Sequence, residues 1–239
     1  MKAIVSKTIS TTAKLLVVAI LSSCAMGIKG KGEVERTVIE PESFTSIDVS
    51  GFFNVHYRQG PIHEVTLVTH ENISEYVTIT IDDDEISAEI SDKVSDADKL
   101  DLFITSPVLE SIRISGACDF ESANTIAGDF LSIRGSGASE VDAEVRVSKL
   151  EIRASGASEL DLSGRVQMAK IDVSGATSID AYELEADRCK ISTSGASEIK
   201  IHATQELIVN ASGASSISYK GNPAITEDLS GAASINSVR

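Results

Sequence analysis

The stretch Leu150-Glu151-Ile152-Arg153-Ala154-Ser155-Gly156-Ala157-Ser158-Glu159-Leu160-Asp161-Leu162 decides the fold. Apolar and polar residues alternate on both sides of Ser-Gly-Ala, the pattern of two half-buried strands joined at a glycine turn. The tripeptide recurs at Ser115-Gly116, Ser136-Gly137, Ser155-Gly156, Ser174-Gly175, Ser194-Gly195, Ser212-Gly213 and Ser230-Gly231, with successive glycines 21, 19, 19, 20, 18 and 18 residues apart.

The flanks repeat with the corner. Four residues after the glycine stand Phe120, Val141, Leu160, Ile179, Ile199, Ile217 and Ile235. Four before it stand Ile112, Ile133, Ile152, Ile171, Ile191 and Val209, a series that fails only at Glu227. Six before it come Leu131, Leu150, Ala169, Cys189, Leu207 and Ile225. Each unit thus reads as strand, glycine turn, strand and a variable connector that often holds a further glycine, such as Gly128 or Gly164. One such unit cannot bury its own apolar face, but a stack of them, spaced by about 4.8 Å, closes a continuous core. The expected fold is all-β, a single-stranded right-handed parallel β-helix (β-solenoid) with about 18–21 residues per coil. The right hand is preferred because the aliphatic hexapeptide period of left-handed solenoids is absent.

At the corner, glycine permits a positive φ or a close backbone approach. The alanine is expected to point inward, and the serine hydroxyls to bond along the stack or to local backbone. Seven near-identical serines on a solenoid corner read as architecture rather than as nucleophiles.

Ahead of the repeat, Ile47-Asp48-Val49-Ser50-Gly51-Phe52-Phe53-Asn54-Val55-His56-Tyr57 has the same strand, Ser-Gly, strand arrangement and reads as the opening turn of the fold. Segments 65–69, 77–81, 85–90 and 100–104 alternate as further strands. Domain organisation follows as a leader over 1–23, a flexible tether over 24–41, an N-terminal β region over 42–110 and the Ser-Gly-Ala helix over 111–239.

The leader has Lys2, Lys7 and Lys14 ahead of an apolar run from Leu15 to Leu21, which is far shorter than the roughly 20 residues of a spanning helix. Leu21-Ser22-Ser23-Cys24 resembles the lipobox of bacterial lipoproteins, which implies acylation of Cys24 and anchoring to a membrane. Ala25 after the cysteine resembles outer-membrane sorting, with the surface or periplasmic face left open. From Cys24 on, 18 basic residues face 36 acidic ones, a net charge of −18. Such a body repels nucleic acid and anionic lipid, so partners bound through phosphate are not expected. Trp is absent and aromatics are few, which suits thin coils filled by Ile, Val, Leu and Ala better than a thick sandwich.

Candidate chemistry is sparse. Acidic residues recur at Asp119, Glu140, Glu159 and Glu198, and again at Glu121, Asp142, Asp161 and Asp180, all expected to face solvent. Arg113, Arg134 and Arg153 stand across the turn and are expected to pair with them, in preference to a carboxylate pair for glycoside cleavage. Asp82-Asp83-Asp84-Glu85 lacks the spacing of a calcium loop and reads as a hairpin tip. His56, His63, His70 and His202 assemble neither a zinc set nor a triad by spacing. Cys189 falls on a ladder position and reads as a buried thiol, whereas Cys118 is expected to be partly exposed. The expectation is a protein without catalytic residues, metal or cofactor.

The lipobox, the opening turn and the seven Ser-Gly-Ala coils together resemble the DUF2807 family, described as "putative auto-transporter adhesin, head GIN domain", over about residues 42–222. The resemblance implies an exported β-helical protein of a kind common in Bacteroidetes, with adhesion proposed by analogy. The partners expected are a membrane, through the N-terminal lipid, and a polysaccharide or another envelope protein. A periplasm-facing structural or envelope-stress component is the alternative, and a carbohydrate-active enzyme using the acidic face ranks below both. The chain runs from its last coil to Arg239, without the translocator barrel of an autotransporter, so anchoring by lipid is the expected mode of attachment.

Overall fold

The structure, a computed structural model, describes residues 27–238; the leader and Cys24 lie outside the described residues. The N-terminal part comprises β1 (Ile28–Lys29), β2 (Val34–Ile39), β3 (Ser46–Gly51), β4 (Asn54–Gln59), β5 (Glu64–His70), α1 (Glu71–Ser74), β6 (Val77–Asp82), β7 (Glu85–Ile90), β8 (Val94–Asp96) and β9 (Leu100–Ser106). The repeat contributes β10 (Ser111–Gly116), β11 (Asp119–Ser122), β12 (Ile126–Gly137), β13 (Glu140–Ala154), β14 (Glu159–Gly175), β15 (Ser178–Gly195), β16 (Glu198–Ala211), β17 (Ser216–Lys220), β18 (Ala224–Leu229) and β19 (Ser234–Ser237).

Each coil of the repeat lies parallel on the one before it, and equivalent residues pair, as in Ile133 with Ile152, Ile152 with Ile171 and Ile171 with Ile191. The result is a β-solenoid. Its central column runs Ile86, Ile47, Ile112, Ile133, Ile152, Ile171, Ile191, Val209, each in register with the next. Every member is buried. β-branched side chains stack well here because each fills the pleat left by its neighbour one coil away.

The connectors expected from sequence are themselves strand. β13 runs unbroken from one corner to the next, and Val145 to Lys149 pairs with Gly164 to Met168 of the following coil. Unequal coil lengths are absorbed as register shifts, between Asp161 and Ser163 and again between Ala181 and Glu185, so the buried columns stay aligned. The first shift sets one extra residue in β15 against β14, and the second sets three in β15 against β16.

At the N-terminal end the spatial order departs from the chain order. β3 pairs with β10 with Ser50 opposite Ser115 and Gly51 opposite Gly116, so Ser50-Gly51 is a true corner of the stack, as its sequence suggests. The coil beneath it comes later in the chain, with β7 under β3 and β9 under β4. Antiparallel strands then close this end: β6 on β7, β5 on β9, and β2 on β5. The hairpin between β6 and β7 turns at Asp83 and Asp84, whose φ values of 45° and 62° fit the two-residue turn that hairpins favour. The acidic run is therefore a turn.

Residues 28–39, expected to lie in a flexible tether, carry β1 and β2 instead. β1 pairs with β8, and β2 pairs along its whole length with β5. Their polar, exposed sequence gave no burial signal because an edge strand is held by backbone hydrogen bonds rather than by an apolar face. At the opposite end β18 and β19 pair on one side only, with Ile225 40% exposed, and Glu227 and Asp228 put charge on that edge.

Candidate functional site

The seven Ser-Gly-Ala corners repeat one geometry. Their glycines have φ between +72° and +104°, and at Gly137 an added β-carbon would lie 2.5 Å from the carbonyl oxygen of Gly116. The following alanine amide donates to the glycine carbonyl one coil below, as from Ala138 to Gly116 at 2.7 Å and from Ala157 to Gly137 at 2.7 Å. Glycine is thus required twice, by its φ and by the backbone lying against it.

The alanine itself faces solvent, contrary to the inward position expected. The residue after it points in: Cys118, Ser139, Ser158, Thr177, Ser197 and Ser215 are all buried. The period-two ladder that buries the residues four before and four after the glycine continues through the corner, so it buries the second residue after the glycine and turns the alanine out. Three of these short polar side chains bond back to the carbonyl of the motif serine, from Ser158 to Ser155 at 3.0 Å, Thr177 to Ser174 at 3.3 Å and Ser215 to Ser212 at 3.0 Å, whereas the buried Ser197 hydroxyl has no partner among the described residues. Cys118, expected to be partly exposed, fills the same position with its Sγ 3.3 Å from the Ser115 carbonyl oxygen. Of the motif hydroxyls, expected to bond along the stack or to local backbone, that of Ser212 reaches the Thr193 carbonyl at 3.5 Å, and a hydroxyl contact along the stack forms in the inner column, where Ser139 reaches Ser158 at 3.2 Å. Both remaining thiols are free and buried, and burial pushes Cys189 up to about 12.

The acidic columns face solvent as expected, with Glu140 opposite Glu159 and Asp142, Asp161 and Asp180 in a row. The arginines do not pair with them across the turn. Arg113 bonds Asp48 at 2.5 Å and Glu85 at 3.2 Å, both on its own side of the corner. Arg153 pairs with Glu151 at 3.5 Å and Asp172 at 4.0 Å. Side chains three before the glycine project from one face and those three after it from another, so stack neighbours are nearer than cross-turn ones. The Asp48 carboxylate beside Arg113 raises the guanidinium pKa, and the Lys149 ammonium bonded to Glu151 lowers that carboxyl.

Arg134 sits in register between Arg113 and Arg153. Among the described residues no carboxylate lies within 4.0 Å of it, and its Nε is buried without a partner. The three arginines form one wall of a groove of about 600 Å³ that runs along the stack. Asp172, Ser192 and Asn210 continue that wall, and Ser136, Ser155, Ser174 and Ser194 stand opposite. Both columns point outward because they lie two residues apart on each strand, and the small residues between them, such as Gly135 and Ala154, form the floor. Sequence reasoning named the arginines but missed the groove. The signal was present in the small residues at 135 and 154 between an arginine and a serine.

Elsewhere, His56 stacks on Phe103 at 4.7 Å and lies 3.6 Å from Glu121. Lys200 bonds Asp180 at 3.0 Å, and that carboxylate raises the lysine pKa. Among the described residues no three His, Cys, Asp or Glu side chains are placed to hold a metal ion, and no helix is long and apolar enough to cross a membrane.

Several solved structures share the fold. A "putative adhesin" from Bacteroides fragilis is 26% identical, with a TM-score of 0.83 over 89% of this chain and 100% of its own. A "putative lipid binding protein" from Parabacteroides distasonis is 20% identical, with a TM-score of 0.74 over 89% of this chain and 99% of its own. A "putative adhesin" from Parabacteroides merdae is 22% identical, with a TM-score of 0.68 over the same shares of the two chains. Among curated protein sequences none matches the chain. The family model described as "Putative auto-transporter adhesin, head GIN domain" matches residues 43–223, from just before the first corner to just before β18, and the chain belongs to that family, DUF2807.

Proposed function

We propose that this protein is a lipid-anchored binding module of the bacterial envelope, with adhesion as its role and no catalytic step. The groove beside the corner column carries the reading: a concave, continuous surface with a few placed polar groups is the usual form of a ligand site. The family description and the Bacteroides fragilis relative support adhesion over catalysis. The carboxylates of the acidic face stand in repeated, alike and exposed settings, whereas a glycosidase sets two carboxylates in unlike ones. Cys24 in its lipobox supports the anchor, and Ala25 supports the outer membrane.

The test uses a soluble fragment beginning at Ala25 on a glycan array and against purified envelope polysaccharide. Saturable binding by the folded fragment is expected, and binding no stronger than that of the heat-unfolded fragment would remove the proposal. Radiolabelled palmitate should enter the full chain in bacteria and should not enter Cys24→Ala. Protease shaving of intact cells should degrade a surface adhesin; a protein protected in intact cells and cut in lysed ones would favour a periplasm-facing structural role, a reading supported by the one-sided β18 and β19 edge.

A further inference from the structure

We infer that the groove is a subsite for a linear glycan carrying a single carboxylate, and that Arg134 is the residue that takes that carboxylate; this rests on the binding reading above. Stacked guanidiniums about 4.8 Å apart repel one another unless anions stand between them. Two of the three have them: Arg113 has Asp48 and Glu85, and Arg153 has Glu151 and Asp172. Arg134, between them, has none among the described residues, and its Nε is already out of water with nothing to donate to. In a body with 18 basic and 36 acidic residues from Cys24 on, Arg36, Arg58, Arg146 and Arg188 also lack a carboxylate partner among the described residues, but Arg134 joins that lack to a buried, unpartnered Nε on a groove wall, which suits a ligand's charge.

The rest of the groove states what the ligand must be beyond that one charge. Past Arg153 the wall changes to Asp172, Ser192 and Asn210 while the facing wall stays serine; Asp172 is itself paired with Lys170 at 2.9 Å, so the extension offers hydroxyl and amide groups over an apolar floor and no free charge. Such a surface recognises hydroxyls and offers no free cation to a second anion. It therefore selects against polysulfated chains and against a polyglutamate peptide, each of which places a charge on every unit. Spacing points the same way. The groove crosses the strands, so its polar groups recur once per coil, about every 4.8 Å, and a pyranose in an extended chain advances by about one such step. An extended peptide repeats on one side at roughly 6.6 Å and falls out of step within two coils.

The test is direct titration of the folded fragment with four immobilised or soluble probes: a tetrasaccharide ending in one glucuronic acid, its methyl ester, a heparin tetrasaccharide and a polyglutamate peptide. Each is run against the wild type, Arg134→Gln and Arg134→Lys, with circular dichroism and melting curves to show that the variants keep the fold. The acid tetrasaccharide is expected to bind more tightly than its ester and than both polyanions. Arg134→Gln should weaken the acid by about tenfold or more, the size expected for losing a hydrogen bond to a charged group, and the ester by clearly less. Arg134→Lys should restore part of the loss, because an ammonium supplies charge without the fork. Equal binding of acid and ester, tighter binding of heparin or polyglutamate, or a folded Arg134→Gln that binds the acid as the wild type does, overturns this assignment. If the wild type binds other array glycans while Arg134→Gln changes nothing, the binding reading stands and the groove assignment falls. If no array glycan binds the wild type, both fall.

Discussion

Gly116 and Gly137 occupy the same corner one coil apart, and the carbonyl oxygen of the first lies 2.5 Å from where a β-carbon on the second would stand. The relationship repeats at Gly156, with φ +85° and the Gly137 carbonyl oxygen at 2.5 Å. Gly156→Ala is therefore expected to destabilise the fold by at least about 2 kcal/mol, since a left-handed alanine alone costs roughly 1–2 kcal/mol and the neighbouring backbone must also shift. Gly128 is the control, being exposed with nothing within 4 Å of an added β-carbon. Gly128→Ala should be neutral or stabilising by about 0.5 kcal/mol. Urea melts of both variants decide the point, and equal effects would show that the corner is not strained by a side chain.

Burial of the aliphatic residues along the stack predicts a gradient. Ile171, in the middle of the stack, is fully buried, while Ile225 of the last coil is 40% exposed. Ile171→Ala should cost about 2–5 kcal/mol, and Ile225→Ala less than about 1 kcal/mol. Denaturant midpoints measure both. Similar losses would mean that the last coil is covered in solution.

The two thiols are predicted to be silent in the folded fragment. Cys118 is fully buried, Cys189 is 2% exposed, and burial raises the pKa of both. Iodoacetamide at pH 8 should modify neither until guanidinium is added, by mass spectrometry. Because four other coils place serine where Cys118 stands, Cys118→Ser should change stability by less than about 1 kcal/mol. Rapid alkylation of native protein would contradict the inward position.

The strand pair β1 and β8 is tied down by His70, whose Nε2 lies 2.7 Å from the Asp98 carboxylate and whose Nδ1 lies 3.2 Å from the Gly32 carbonyl oxygen. The His70 side chain holds Asp98 below its ordinary 3.8. A carboxyl lowered on folding stabilises fully above its ordinary value and loses that contribution as the pH falls through its lower, folded value. A carbon-detected titration should place Asp98 below 3.8. Asp98→Asn at pH 8 should speed tryptic cleavage after Lys29 and Lys31, and unchanged cleavage would show that other contacts hold the segment, such as the Asn72 side chain bonded to Lys29 and Lys31 backbone.

Much of this fold is readable in the chain because one local solution recurs. A lone Ser-Gly-Ala says little, but seven of them at near-constant spacing fix the coil length, and the residues four and six away fix which face is buried. Ile112 through Val209 were legible for that reason, and so was the kinship of Ser50-Gly51 with the later corners. The candidate site was only half legible. Arg113, Arg134 and Arg153 could be named, but they were assigned to the acidic residues across the turn because sequence distance favours that pairing, whereas the stack brings Asp48, Glu85 and Asp172 closer.

The sequence by itself determined the repeat, the corner glycines and the buried columns, because in a stack each residue's environment is supplied by its own equivalents and periodicity carries the information. Only the tertiary structure decided what does not repeat. It placed β7 and β9 beneath strands that precede them in the chain, brought residues 28–39 onto the fold as edge strands, and left Arg134 between two ion-paired arginines. Each of these depends on backbone pairing or charge contacts between segments far apart in the chain, and no local pattern records such contacts.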